Sequence, residues 1–210
     1  MVEKINILID LDETILSSEP LEHLDFNDKH ENQKRLKFKF YNMEGYFIIF
    51  ERPNLQQFLD YIFANFNVSV WTAATKDYAL FIVDKIILQD KPERTLDYIF
   101  FSYHVTVSKT ITKNTKDLSI LWNYYKLPNY SSNNTFIIDD YKAAVFDPQK
   151  ERCILMEEFS FKNKSSYDDV FLPKLMGELK ILKENFDKNS DVTKIIPVIN
   201  QTLNVKIVAK

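Results

Sequence analysis

The chain of 210 residues is 45% hydrophobic and 14% aromatic, which suits one folded domain with a sizeable core. Its formal net charge of −3 excludes a general attraction to nucleic acid or to an anionic membrane. No apolar run reaches the ~18 residues of a membrane span, the start does not read as a signal peptide, and the lone Cys153 leaves no internal disulfide, so a cytosolic or nuclear protein is expected.

An apolar strand over residues 4–10 opens the chain and runs into Asp10-Leu11-Asp12-Glu13-Thr14. Side chains two apart share a strand face, so Asp10, Asp12 and Thr14 start on one side as the strand leaves its sheet. Taken alone, such a pair of acids is as consistent with an Asp-rich turn as with a site. After a polar segment, residues 35–41 alternate strictly and residues 46–50 are β-rich, which predicts a hairpin inserted over 35–51. Its lysines form a solvated face or flank an anionic ligand.

Pro53 then opens a helix with Leu55, Phe58, Leu59, Ile62, Phe63 and Phe66 on one face. Residues 68–72 read as a short buried strand, and Thr75 as the N-cap of a helix over 76–88. A strand at 98–101, a polar loop at 108–115 and a helix at 117–125 follow. Residues 135–140 form a strand that again ends in paired acids, and 152–155 a short edge strand. Leu172, Leu175, Leu179 and Leu182 mark a further helix, while Pro197 interrupts a helical pattern near the end. The expected domain covers 1–185, with 186–210 a tail packed on it or extending it.

Strands alternating with helices predict an α/β fold of parallel βαβ units with helices on both faces of the sheet. Ligands in such folds bind beyond the carboxyl ends of the strands. Asp10, Thr72 and Asp139 all stand there, so three separated strands deliver polar groups to one crevice. With only two glycines, Gly45 and Gly177, the familiar glycine-rich phosphate loops are excluded. Any phosphate must be held largely by side chains.

In order and spacing the motifs resemble the haloacid dehalogenase (HAD) superfamily, and within it the FCP/SCP-type phosphatases of the RNA polymerase II C-terminal domain. The matching residues are Asp10-Leu11-Asp12-Glu13-Thr14, Arg52-Pro53, Trp71-Thr72-Ala73-Ala74 with Tyr78-Ala79, Lys116-Asp117-Leu118-Ser119 and Ile138-Asp139-Asp140. The resemblance implies a Rossmannoid three-layer fold with a central, mostly parallel sheet. It also implies a small β-hairpin insertion after strand 1 in place of a large cap.

For function, the resemblance implies a Mg²⁺-dependent phosphatase of Ser/Thr phosphomonoesters that works through an aspartyl phosphate. Asp10 is then nucleophile and metal ligand. Asp12 gives its backbone carbonyl to the metal and its side chain as acid and base. Thr72 and Lys116 act on the phosphoryl group, with Thr14 and Ala73 lining the substrate site. Asp139 and Asp140 complete the metal set, and either one is the direct ligand. This Asp-Asp pair departs from the Asp-Asn of the small phosphatases, and Tyr141-Lys142 departs from the usual turn after it.

The implied partner is a phosphorylated protein or peptide, the polymerase tail among them, met by a monomer without stable nucleic-acid or membrane binding. Two other readings stay open: a catalytically silent interaction module on the same fold, or a phosphatase of nucleic-acid ends or small phosphometabolites. Cys153 lacks the loop and arginine of a thiol phosphatase. His23, His30 and His104 are too scattered for a zinc set.

Overall fold

In the computed structural model, which describes residues 4–25, 27–140, 144, 146, 149–188 and 191–205, strand β1 (Asn6–Ile9) is the centre of a five-stranded sheet. Around it stand β5 (Asn67–Trp71) and β7 (Thr135–Asp139), with β6 (Leu96–Phe100) and β8 (Cys153–Leu155) outermost. Every pairing in this sheet is parallel. A parallel sheet covered on both faces needs strands that are apolar throughout, and β1 is buried along its whole length.

Strand alternation divides that apolar run between two cores. Ile7 and Ile9 of β1, Val68 and Val70 of β5, and Phe136 and Ile138 of β7 face one core. There they meet α2 (Leu55–Asn65), α3 (Lys76–Ile82), α6 (Phe171–Asp187) and α7 (Ile195–Leu203). Leu8, Trp71 and Ile137 face the other core, against Val105 of α4 (Ser102–Thr112) and Ile120 and Leu121 of α5 (Ser119–Asn123). The result is the expected three-layer α/β arrangement.

The inserted element is larger than a hairpin. β3 (Phe40–Met43) and β4 (Phe47–Glu51) are joined by a turn in which Glu44 and Gly45 both take positive φ, 50° and 82°, the backbone of a primed hairpin turn. β2 (Leu16–Pro20) pairs along the other side of β4, making a three-stranded antiparallel sheet. Ser17-Ser18-Glu19-Pro20 has little intrinsic strand preference, so pairing with β4 specifies this strand. The first hairpin arm starts at Phe40 rather than at residue 35, because Arg35 closes a short helix, α1 (Lys29–Arg35). Phe38 turns inward onto Phe50, Phe159 and Phe161.

Helix boundaries differ where side chains compete for the backbone. α2 starts at Leu55, after Asn54 reverses the chain with a left-handed φ of 67°. α3 widens into a π-helical turn at Val83–Leu88. Residues 108–112, expected in a loop, lie inside α4, where the hydroxyls of Thr106, Thr110 and Thr112 bond the carbonyls four residues back. Pro197 falls in the first turn of α7, where its missing N–H costs no helical bond.

Ile196, Ile199 and Leu203 of α7 bury in the first core. The Asn200 side chain closes the outer edge of β8, donating to the Cys153 carbonyl at 2.9 Å and accepting from the Leu155 N–H at 2.9 Å. That satisfies the backbone groups an edge strand leaves open. Among the described residues no helix is long and apolar enough to cross a membrane.

Candidate active site

β1 stops at Ile9, and the next N–H, that of Asp10, still bonds to the Ile138 carbonyl of β7 at 3.0 Å. This fixes the Asp10 side chain at the carboxyl edge of the sheet. The chain then winds tightly, with Glu13 at φ 59° and the Ile15 N–H on the Leu11 carbonyl at 2.9 Å. From outside, the turn is gripped by the Phe159 N–H on the Glu13 carbonyl at 2.6 Å.

Arg52 supplies a second grip. Its fully buried guanidinium donates to the Thr14 and Glu157 carbonyls, each at 2.8 Å, and pairs with both oxygens of Asp169, at 3.2 and 2.8 Å. It packs against the rings of Phe159 and Phe171. The Arg52-Pro53 motif, read from the sequence only as the opening of a helix, thus supplies in Arg52 a brace on the Asp10–Thr14 loop.

Lys116 joins two of the strand ends. Its ammonium lies 2.6 Å from Asp10 Oδ1 and 2.8 Å from Asp139 Oδ2, sealed from solvent. Burial alone would lower its pKa, but the two carboxylates hold it above its ordinary value. The backbone of Lys116 takes a left-handed φ of 51°, an uncommon state for a residue with a Cβ. Two buried side chains enforce it. Gln149 accepts from the Leu118 N–H at 2.7 Å and donates to the Lys116 carbonyl at 3.1 Å, and Ser108 accepts from the Asp117 N–H at 2.9 Å. Neither belongs to a motif, and nothing in the sequence singles them out.

The Thr14 hydroxyl sits between acids. It accepts from the Asp140 N–H at 3.2 Å and lies 2.9 Å from Asp140 Oδ1 and 3.2 Å from Asp10 Oδ2, so its one proton serves one carboxylate at a time. Asp10, Asp139 and Asp140 each offer an oxygen, all within 4.8 Å of one another. Burial, then the charge of Asp10, pushes the Asp140 carboxyl up to about 6, against the bond from Thr14. Among the described residues, three carboxylates converge beside one ammonium. A hard, all-oxygen set of this kind fits Mg²⁺ and not a thiophilic metal.

Asp12 is half-buried beside this group. Tyr78 donates its hydroxyl proton to Asp12 Oδ1, and Ser18 Oγ contacts the same tyrosine oxygen. Burial pushes the Asp12 carboxyl up to about 6; the Tyr78 bond opposes this and the Asp10 charge adds to it. Burial and Asp12 together raise the Tyr78 phenol well above its ordinary value, so it stays a donor. The sequence assigned neither Tyr78 nor Ser18 a role at the site. The matched Tyr78-Ala79 dipeptide was the signal that could have placed the tyrosine there.

Thr72 is buried at the end of β5, adjacent to β1, and accepts from the Ala74 N–H at 3.0 Å, with Ala73 exposed next to it. Its place at the crevice follows from strand order. Tyr141 and Lys142 lie outside the described residues. Cys153 is buried in the second core with its thiol pushed up by burial. His104 accepts the Phe101 N–H, and His23 is beside Glu22; neither approaches a metal set.

A parallel α/β sheet with acids at the ends of two adjacent inner strands, β1 and β7, defines a HAD-like phosphatase domain. The profile of NLI interacting factor-like phosphatases matches residues 5–193, and the chain belongs to that family. It is 44% identical over 172 residues to the CTD phosphatase-like protein 355R of Invertebrate iridescent virus 6, covering 80% of this chain and 93% of the relative. It is 36% identical over 182 residues to the protein of the same name in Invertebrate iridescent virus 3, covering 84% and 96%. Two structures of the fission yeast RNA polymerase II CTD phosphatase Fcp1, one bound to beryllium fluoride, share the fold. Their TM-scores are 0.68 and 0.66 at 17% identity, over 95% of this chain and 71% of theirs.

Proposed function

We propose that this chain is a Mg²⁺-dependent phosphoprotein phosphatase that hydrolyses Ser/Thr phosphomonoesters through an aspartyl phosphate on Asp10. The observation that carries the reading is the buried Lys116 ammonium held between Asp10 and Asp139, with Asp140 alongside. An anionic nucleophile can approach a phosphate dianion only where positive charge neutralises the encounter.

The Asp10 carboxylate attacks phosphorus, and the ester oxygen departs with its bonding pair, taking a proton from Asp12. Water then attacks phosphorus and gives a proton to Asp12, while the bond between phosphorus and Asp10 breaks and its pair returns to the carboxylate. A carboxyl raised to about 6 exchanges protons near neutral pH in both directions, as this division of labour requires. Because Thr72 accepts from the Ala74 N–H, its own O–H is left to donate to a phosphoryl oxygen. Thr14 and Ala73 line the same site. Asp10, Asp139 and Asp140, with the Asp12 backbone carbonyl, would hold Mg²⁺, which when bound supplies the remaining positive charge.

A small antiparallel sheet in place of a large cap leaves room for an extended chain, which supports a phosphorylated protein or peptide as substrate. The CTD phosphatase names of the relatives make the polymerase tail the first candidate. Full activity of the Asp10→Asn variant would remove the nucleophile assignment. With Mg²⁺ present, polymerase-tail phosphopeptides should turn over faster than unrelated phosphopeptides and 3′-phosphorylated oligonucleotides, and a chelator should stop the reaction. Equal rates across that panel reject the tail as preferred substrate.

A further inference from the structure

The phenol of Tyr78 is a buried hydroxyl to which the reaction above gives no task. It has one proton, and that proton points at Asp12 Oδ1. The contact between the tyrosine oxygen and Ser18 Oγ can therefore run only one way, with Ser18 as donor. A directed chain results, Ser18 to Tyr78 to Asp12. Both upstream members are tied to the inserted sheet. Ser18 lies on β2 opposite Ile49 of β4, and the Tyr78 ring meets Phe47 of β4 edge to face at 5.8 Å.

A carboxylic acid that must protonate a leaving oxygen has two oxygens on a rotatable group. Holding one in a hydrogen bond fixes the plane and leaves the other to carry the transferable proton. We propose that Ser18 and Tyr78 are positioning residues for the acid: they keep Asp12 Oδ1 occupied and reserve Oδ2 for the proton delivered to the departing oxygen. This rests on the reading of Asp12 as acid. It also specifies the substrate class, since an alkyl phosphate leaves as a strongly basic alkoxide and depends on that proton, whereas a nitrophenyl phosphate does not. The inserted sheet thereby tunes the enzyme toward alkyl esters through hydrogen bonds to the acid.

The test compares kcat/KM of the full chain with Mg²⁺ on a phosphoserine peptide and on 4-nitrophenyl phosphate. kcat/KM reads the transfer to Asp10 without the later hydrolysis. Tyr78→Phe, which keeps the ring against Phe47, should lower the peptide value by roughly 10- to 100-fold and leave the nitrophenyl value within about 3-fold. Ser18→Ala should act the same way by about 5-fold, the scale of one neutral hydrogen bond, with Ser18→Thr restoring the loss. Because Ser18 reaches the Asp12 carboxyl both by way of Tyr78 and by its own hydrogen bond, the double variant should be slower on the peptide than Tyr78→Phe alone while the nitrophenyl value again stays within about 3-fold. Equal loss on both esters, in either single variant or in the double, overturns the proposal. Asp12→Asn separates the two levels. If it slows both esters equally, the reading of Asp12 as acid fails; if it is selective for the peptide while Tyr78→Phe is not, only the positioning chain fails.

Discussion

Lys116 and Asp10 are 106 residues apart in sequence, yet the lysine ammonium stands 2.6 Å from the aspartate Oδ1 with no solvent between them. Removing one partner of a buried pair strands the other's charge, which costs roughly 3–5 kcal/mol. Here two carboxylates are stranded, Asp10 and Asp139. Lys116→Met should lower the metal-free unfolding free energy on that scale and reduce kcat by about 100-fold or more. Lys116→Arg should not rescue the rate, since a planar fork cannot take the place of a compact ammonium. Urea denaturation and steady-state kinetics give both quantities; wild-type values in either would dissociate the lysine from that role.

The raised carboxyls of Asp12 and Asp140 produce a pH dependence opposite in sign to that of ordinary carboxylates. Both lie near 6 in the fold against an ordinary 3.8, so the folded chain binds their protons more tightly than the unfolded chain does. Their stabilising contribution is fully present below about 3.8 and is lost as pH rises through about 6. Metal-free Asp140→Asn should therefore melt about 2–4 °C or more above wild type at pH 7.5 and close to it at pH 4.5. Saturating Mg²⁺ should reverse the order at neutral pH, because wild type retains the full carboxylate set. Thermal melts of both proteins at the two pH values decide this, and a difference that does not change with pH would contradict it.

How much was legible in advance depended on whether a residue's role was local. Ile7, Leu8 and Ile9 announce a doubly buried strand because a parallel sheet demands unbroken apolarity, and Asp10, Thr72 and Asp139 follow from the rule that strand ends carry the chemistry. Ser18 and Gln149 were silent because their task is set by partners 60 and 33 residues away, Tyr78 and Lys116. β2 was silent for a related reason, since its Ser-Ser-Glu-Pro run becomes a strand only by pairing with β4. The Thr-rich second half of α4, residues 108–112, read as a loop because hydroxyls that bond back onto the helix lower its propensity without preventing it.

Arg52 should prove a stability determinant first and an activity determinant second. Replacing it by Met takes the Arg52 donors from the Thr14 and Glu157 carbonyls and leaves Asp169 with the Phe171 N–H but without its ion-pair partner, and a loss of about 3–5 kcal/mol is expected. Lys cannot form the two-pronged pair with Asp169 and should recover less than half of that loss, roughly 1–2 kcal/mol. The folded fraction should also turn over more slowly, because the Asp10–Thr14 loop loses its brace. Chemical unfolding midpoints of Arg52→Met and Arg52→Lys, with rates normalised to folded protein, measure both effects. A midpoint within error of wild type for the Met variant would contradict the brace.

Thr14 separates orientation from charge at the proposed metal site. Its hydroxyl holds the Asp140 backbone at 3.2 Å and stands within reach of both Asp140 and Asp10 carboxylates, at 2.9 and 3.2 Å, while carrying no charge of its own. Groups that orient ligands in this way typically govern about 10- to 100-fold in metal affinity. Thr14→Val keeps the volume and β-branching but deletes the hydroxyl, so the fold should persist while Mg²⁺ binds about 10-fold or more weakly. Thr14→Ser, which keeps the oxygen, should bind near wild type. A calorimetric Mg²⁺ titration of the three proteins reads this directly. If valine and serine bind alike, the hydroxyl does not orient the acids, and the convergence of Asp10 and Asp140 must be maintained by the strand ends alone.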